Sequence, residues 1–383
     1  MDFELNEEQK LMQDMARRFA RETIAPISEK DEEEHKFRPE LVRQMGELGF
    51  FGCLIPEEYG GNGAGEVASV VITEEIACVS PSYGLPFNMQ AHGTAKTILR
   101  YGNEEQKKKY IPGLASAEKF GCFAITEPGA GSDVVSMLTT AVEDGDHFVL
   151  NGQKTWISNA HVADIGLVYA MTDKSRRHKG MSCFIVDLKE TDGITTRPIE
   201  TKLGLYSAPT GEIFFEDARV PKENLLGEVN HGFKICMSML DNTRLSCAAR
   251  AVGVGRASFE VAKEYAEDRK QFGKPIIKFP QIRDDLAEMY LENQAARLLL
   301  WRAAQQKDND PNVRNSLEVS VAKYFAAEAA VKAANDCVKI LGSYGFSTEY
   351  RASRLLRDAK SFQIVEGTSN IQKLVIGNNI LGK

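Results

Sequence analysis

Apolar positions recur at helical spacing at both ends of this chain and at strand-like spacing in its middle. In the N-terminal third, Leu11, Met15 and Phe19, and then Leu41, Met45 and Leu48, fall three or four residues apart with charge between them. This is the stripe of an amphipathic helix. Pro26, Pro56, the Gly60-Gly61 pair and Gly63 break the segment, and Ile55 to Gly61 reads as a connector. The pattern changes near residue 120. Gly166 to Ala170, Cys183 to Val186 and Glu212 to Phe215 read as strands, the last ended by Asp217 and Pro221. Between Phe148 and Ile157, Asn151-Gly152 joins two strand-like runs, which predicts a hairpin with a type I′ turn. From Gly232 onward the chain is helical again: Phe233 to about Asp268, Pro280 to Lys307 and Val313 to Leu341. Breaks fall at Gly273-Lys274-Pro275, Asp308 to Pro311 and Gly342 to Gly345. The expected fold is α+β: a helical domain over 1–120, a β domain over 121–231 and a C-terminal helical bundle over 232–383.

Composition narrows the class. The chain has 383 residues, 43% of them hydrophobic, enough for more than one core. Its net charge is −7 with mixed signs, and no basic face speaks for nucleic acid or an anionic membrane. Seven scattered cysteines, an odd number without a C-x-x-C pair, argue for a reducing compartment. The six histidines show no metal-ligand spacing, so no metal site is expected. Met1-Asp2-Phe3-Glu4 leads into an acidic helix with no basic or apolar leader, and no run reaches membrane-span length. The expected location is the cytoplasm; a matrix protein after removal of its transit peptide would look the same.

Four stretches could carry chemistry. Thr126-Glu127-Pro128-Gly129-Ala130-Gly131-Ser132-Asp133 offers small residues, backbone N–H groups and hydroxyls to a ligand, but is also ordinary turn chemistry. Trp156-Ile157-Ser158 could stack an indole on a flat heterocycle, or Trp156 could be a core residue. Asp241 and Arg244, three apart on a helix, could bind a nucleotide, though a surface ion pair is the local expectation. Near the C-terminus, Glu366-Gly367-Thr368-Ser369-Asn370 places a carboxylate in a turn ahead of a helix, where it is either a cap or a positioned base.

With Asp268-Arg269-Lys270-Gln271-Phe272-Gly273, these motifs in this order resemble the acyl-CoA dehydrogenases over most of the chain. The resemblance implies FAD held between the β domain and the C-terminal helices, a homotetramer, and an electron-transfer flavoprotein as acceptor. It implies that Phe123, Ile125, Thr126, Gly131 and Ser132 contact flavin or thioester, and that Trp156 and Ser158 flank the isoalloxazine. Arg269, Gln271, Phe272 and Gln281 match positions for the FAD pyrophosphate and adenosine, partly across a subunit interface. Lys339, Gly342, Ser343, Thr368 and Asn370 match further cofactor positions; Ser158, Lys339 and Asn370 stand where Thr, Gln, and Gln or Glu are common. Asp241 and Arg244 match the CoA-binding helix, and Leu240, Phe87, Met89, Gln90, Ala91, Val365 and Gly367 the acyl pocket.

Glu366 matches the catalytic base. An α-proton of a thioester is weakly acidic, so the family supports the developing enolate with two hydrogen bonds, one from the base residue's own N–H and one from a ribityl hydroxyl. Desolvation by the acyl chain strengthens the carboxylate as a base. Flavin N5 takes the β-hydride from the other face. Some members carry the base one residue before the Arg matched by Arg244; here that position is Thr243, which leaves Glu366. Glutaryl-type members bind the distal carboxylate with an Arg that aligns with Gly84, so a dicarboxylyl substrate is not expected. Val365 replaces a common aromatic and widens the pocket, which suits a short or medium, branched or cyclic acyl group. A glutaryl-type dicarboxylyl-CoA dehydrogenase, an acyl-CoA oxidase and a non-catalytic CoA- or flavin-binding protein are the competing readings.

Overall fold

The computed structural model describes residues 4–382; Met1 to Phe3, part of the leader reading, lie outside the described residues. The N-terminal helices are α1 (Glu7–Phe19), α2 (Ala25–Glu33), α3 (Pro39–Glu47), α4 (Gly65–Val79), α5 (Pro81–Phe87), α6 (Lys96–Tyr101) and α7 (Glu104–Ala115). Asn6 and Gln9 form a capping box that starts α1, and Asn103 and Gln106 do the same for α7. The stripe on α1 is only partly sheltered, since Leu11 is exposed. Between α5 and α6 the chain runs as a π-helix over Asn88–Ala95, and every residue from Pro81 to Ala95 is buried. Such wide turns re-aim side chains and gather at functional sites.

The middle of the chain is a seven-stranded sheet: β1 (Gly121–Ala124), β2 (Thr140–Asp144), β3 (His147–Ser158), β4 (Ile165–Met171), β5 (Met181–Asp187), β6 (Ile194–Pro198) and β7 (Thr210–Pro221). Strands β3 and β7 pair antiparallel along most of their length. The expected hairpin at Asn151-Gly152 is not there. The turn falls earlier, between Asp144 and His147, and β3 passes straight through Asn151-Gly152 with a register shift against β7. Gly152 sits at φ +147°, and a Cβ there would meet Thr139 Oγ1 at 2.5 Å. Asn151 hydrogen-bonds the Asp217 carboxylate. The Asn-Gly signal marks a bulge, where glycine lets a neighbouring backbone approach closely.

The C-terminal helices are α8 (Gly232–Asp268), α9 (Pro280–Asn309), α10 (Ser316–Leu341), α11 (Ser343–Phe346), α12 (Arg351–Phe362) and α13 (Ser369–Ile380). Helices α8 and α10 meet through alanines, among them Ala248, Ala251, Ala326 and Ala330 in one core, which lets their backbones approach. A two-stranded arm, Lys270–Gln271 against Lys274–Pro275, projects between α8 and α9. A buried polar cluster ties the parts together: Glu32 of α2 accepts from the backbone of Tyr206 and Ser207, and Asp358 of α12 accepts from the Leu205 N–H. Among the described residues no helix is long and apolar enough to cross a membrane.

Candidate active site

Helix α12 ends at Phe362, and the chain turns back to start α13 through Glu366 and Gly367, at φ +57° and +87°. A non-glycine residue in the left-handed region costs about 1–3 kcal/mol, so this turn must be over-determined by its surroundings. It is. Arg244 Nε donates to the Glu366 carbonyl at 3.1 Å, Lys323 Nζ to the Gly367 carbonyl at 2.8 Å, and Gln372 Nε2 to both, at 3.1 and 2.9 Å. A Cβ on Gly367 would meet Gln372 Nε2 at 2.9 Å. The Thr368 side chain caps α13 by accepting from the Ile371 N–H. Both carbonyls are thereby held toward the bundle. The Glu366 N–H makes no hydrogen bond among the described residues.

The carboxylate itself is held at both oxygens. Asn88 Nδ2, in the π-helix, donates to Oε1 at 2.7 Å, and Thr243 Oγ1, on α8, donates to Oε2 at 2.5 Å. Both donors fix its direction. Neither role was visible in the sequence. An Asn in an otherwise apolar run was the available signal for Asn88. Thr243 carries no carboxylate of its own, and it bonds that of Glu366.

Asp241 and Arg244 form a 2.8 Å ion pair, but not a surface one. Both are buried, Asp241 also accepts from Ser316 Oγ at 2.5 Å, and the pair braces the Glu366 turn through Arg244 Nε. The helix face read as exposed is covered by the C-terminal turn, a tertiary contact that no local pattern reports.

On the β domain, Glu127 of the Thr126 to Asp133 stretch is structural. Its carboxylate accepts from the backbone N–H groups of Leu138 and Thr139, and from the fully buried Lys154, which also reaches the Ile125 carbonyl at 3.1 Å. Their bonds fix the backbone on either side of Thr126. Downstream, β3 is irregular between Lys154 and Ile157. Trp156 lies there at φ +59° with 58% of its surface open, so it is not the core residue that was the alternative. Ser158 is half-buried, and Gly131 and Ser132 are exposed. The charges of Lys154, Arg244 and Glu366 all act on the Cys236 thiol, so β3, α8 and the Glu366 turn converge there. That thiol is pushed up to about 12 by burial.

The other matched positions divide. Arg269, Gln271, Phe272 and Gln281 are exposed, and Phe272 stands 92% open at the tip of the arm at φ +50°. Lys339 is exposed and pairs with Asp285 and Asp336; Gly342, Ser343 and Asn370 are exposed nearby or beyond it in sequence. Phe123 and Leu240 are half-buried and Ile125 is buried. Met89 packs with Leu85, Ala208 and Phe123. Phe87 packs tilted against Phe51 with ring centres 5.0 Å apart, and Ala91 lies in the same N-terminal core. Gln90 is spent on structure, bonding the Leu114 and Lys119 carbonyls and the Gly121 N–H. Val365 is exposed beside Glu366.

An open indole, hydroxyls at Thr126 and Ser158 and a braced turn near a carboxylate fit a flavin ring; an exposed arm carrying Arg269, Gln271 and an uncovered Phe272 fits its nucleotide tail. The arrangement is that of a flavin-dependent oxidoreductase. Models of the acyl-CoA dehydrogenase N-terminal, middle and C-terminal domains match residues 6–118, 122–218 and 230–381. The chain belongs to the acyl-CoA dehydrogenase family and is an FAD-dependent oxidoreductase. It is 48% identical to the glutaryl-CoA dehydrogenase of Desulfococcus multivorans, over 100% of this chain and 98% of that one. It is 42% identical to the mitochondrial short-chain specific acyl-CoA dehydrogenase of Mus musculus, over 99% and 91%. A solved chain described under "Electron transferring flavoprotein of Acidaminococcus fermentans" superposes with a TM-score of 0.98 at 39% identity, over 100% of both chains.

Proposed function

We propose that this protein converts an acyl-CoA thioester to the 2-enoyl-CoA, with Glu366 as the base that removes the α-proton. The observation that carries this reading is the Glu366 turn. Its carboxylate is aimed by Asn88 and Thr243, its carbonyls are clamped by Arg244, Lys323 and Gln372, and its N–H is left without an acceptor. That N–H would donate to the thioester carbonyl as negative charge develops there, an arrangement that costs no reorganisation during reaction. The Asp241–Arg244 pair holds the turn in place on the face where CoA would lie. Bound FAD supplies the hydride acceptor. Residues Phe123, Thr126, Trp156 and Ser158 would hold its ring, the Arg269 to Phe272 arm and Gln281 its nucleotide part, and Thr368 its edge.

For the acyl group, the open Val365 supports a short or medium chain with branching or a ring. Equal turnover of butyryl and hexanoyl thioesters with none of a cyclohexanoyl thioester would contradict that. A second reading, a dicarboxylyl thioester, is supported by the relative named for glutaryl-CoA. An electron-transfer flavoprotein is the proposed acceptor, supported by the name of the solved chain's structure, and the uncovered Phe272 arm supports a homotetramer. Seven buried free cysteines support a reducing compartment such as the cytoplasm. We divide the chain functionally at residues 120 and 231, where helix gives way to sheet and sheet to helix. The test is Glu366→Gln. Turnover should fall by at least about a thousandfold while FAD and thioester binding persist; near-normal turnover would mean that another group is the base.

A further inference from the structure

The long helix α8 carries a second arginine, Arg250, which is 1% exposed, and its Nε and Nη2 are buried without a hydrogen-bond partner. No ion pair engages it among the described residues. The Phe362 ring lies 5.6 Å from its Cζ and favours the cation through its face, which leaves the in-plane N–H groups unmet. A buried guanidinium without a partner is costly, and it cannot shed its proton to escape the cost. A buried group of this kind calls for an explanation, and a ligand that supplies the missing charge is one.

Its position says which ligand. The stem of Arg250 runs against Gly84 on α5: a Cβ at Gly84 would meet Arg250 Cγ at 3.0 Å and Cδ at 3.1 Å. Gly84 is the position at which glutaryl-type relatives are expected to carry their carboxylate-binding arginine, and its lack of a side chain is what admits Arg250. One helical turn beyond Gly84 lies Asn88, and two turns before Arg250 on α8 lies Thr243; these two hold the Glu366 carboxylate. The base and the guanidinium are therefore set between the same two helices, about 6–10 Å apart along their axes. Glu366 is the carboxylate whose charge reaches Arg250.

We infer that Arg250 binds a carboxylate at the distal end of the acyl chain, so that the substrate is a short dicarboxylyl thioester. A planar fork of donors suits a carboxylate held by two parallel hydrogen bonds. Gly84 itself carries no guanidinium, and α8 brings the stem of one against it from the opposite wall. This rests on the dehydrogenase reading above. The distal carboxylate is a spectator: the α-proton goes to Glu366, the β-hydride to bound FAD, and the product is the 2-enoyl dicarboxylyl thioester.

The test compares thioesters of equal chain length on the FAD-loaded protein, glutaryl-CoA against pentanoyl-CoA and adipyl-CoA against hexanoyl-CoA, read as kcat/KM. The wild type should favour the dicarboxylyl member of at least one pair by about a hundredfold or more. Arg250→Met should bring that ratio to one or below, and Arg250→Lys should keep part of it. Should Arg250→Met fail to fold, the wild-type ratios decide alone. A wild-type ratio near or below one in both pairs, with the monocarboxylyl members turned over, overturns the inference and leaves the dehydrogenase reading standing. So does a loss that strikes both members of each pair equally, since a merely structural Arg250 would move both. Turnover of no member of either pair overturns the inference, and if a cyclohexanoyl thioester is not turned over either, the dehydrogenase reading falls with it.

Discussion

Lys154 in the β domain and Arg250 in the helical bundle are both cations sealed from water, and their surroundings are opposite. Lys154 meets the Glu127 carboxylate at 2.8 Å and the Ile125 carbonyl at 3.1 Å. Arg250 meets a glycine and an aromatic face. Burial drives the basicity of both down; Glu127 restores part of it for Lys154 by direct contact, whereas Glu366 acts on Arg250 without a hydrogen bond to it. Lys154 is a brace whose partner is built into the fold, holding the turn at Thr126. Arg250 has its packing provided and its counter-charge withheld, as expected of a group that completes its shell with a ligand. A third case, Lys307, donates to Asn242 Oδ1 at 3.0 Å, and burial brings its pKa down to about 8 despite Asp241. Lysine can relieve burial by releasing its proton, which arginine cannot do.

The comparison breaks most sharply at Lys154. Lys154→Met would leave the Glu127 carboxylate buried without its cation, and stability should drop by about 3–5 kcal/mol in urea titration. Adding Glu127→Gln should recover most of that; a Lys154→Met loss below about 1 kcal/mol would show that the pair is not a brace. Next in size is Lys307. Its folded pKa, about 8, lies below the unfolded value near 10.5, so the unfolded state binds more protons between those limits. Stability contributed by this group should therefore rise with pH from about 8 to 10, by about 3 kcal/mol in total. Lys307→Met should flatten that rise, which urea titrations at pH 7 and pH 10 would reveal. The smallest effect is on Arg250. Without ligand, Arg250→Met removes an uncompensated charge, so the melting temperature should hold or climb, by about 1 kcal/mol of stability. A loss as large as that for Lys154→Met would mean Arg250 has a structural partner after all.

The sequence carried the large divisions well because they rest on periodicity. The long runs at Phe233, Pro280 and Val313 became α8, α9 and α10 within a few residues. Short strands were harder: β1, β2 and β6 span only four or five residues each, too few for alternation to register. At Asn151-Gly152 the turn chemistry was read correctly for its residues and wrongly for its context, since β7 and Thr139 turn the glycine into a bulge. Within the site, Glu366, Trp156 and the Asp241–Arg244 pair were legible through their motifs. Asn88, Thr243, Lys323, Gln372 and Arg250 were not singled out as site-forming groups; all but Gln372 meet a partner tens or hundreds of residues away. Long-range pairing of that kind leaves no local pattern.

The most direct test of the central claim is anaerobic mixing of FAD-loaded wild type and Glu366→Gln with butyryl-CoA and glutaryl-CoA, followed by visible flavin absorbance. The wild type should bleach with at least one of them. The variant should show a spectral perturbation on binding but bleach at least about a thousandfold more slowly. Bleaching of Glu366→Gln within tenfold of the wild-type rate would contradict the assignment of Glu366 as the base.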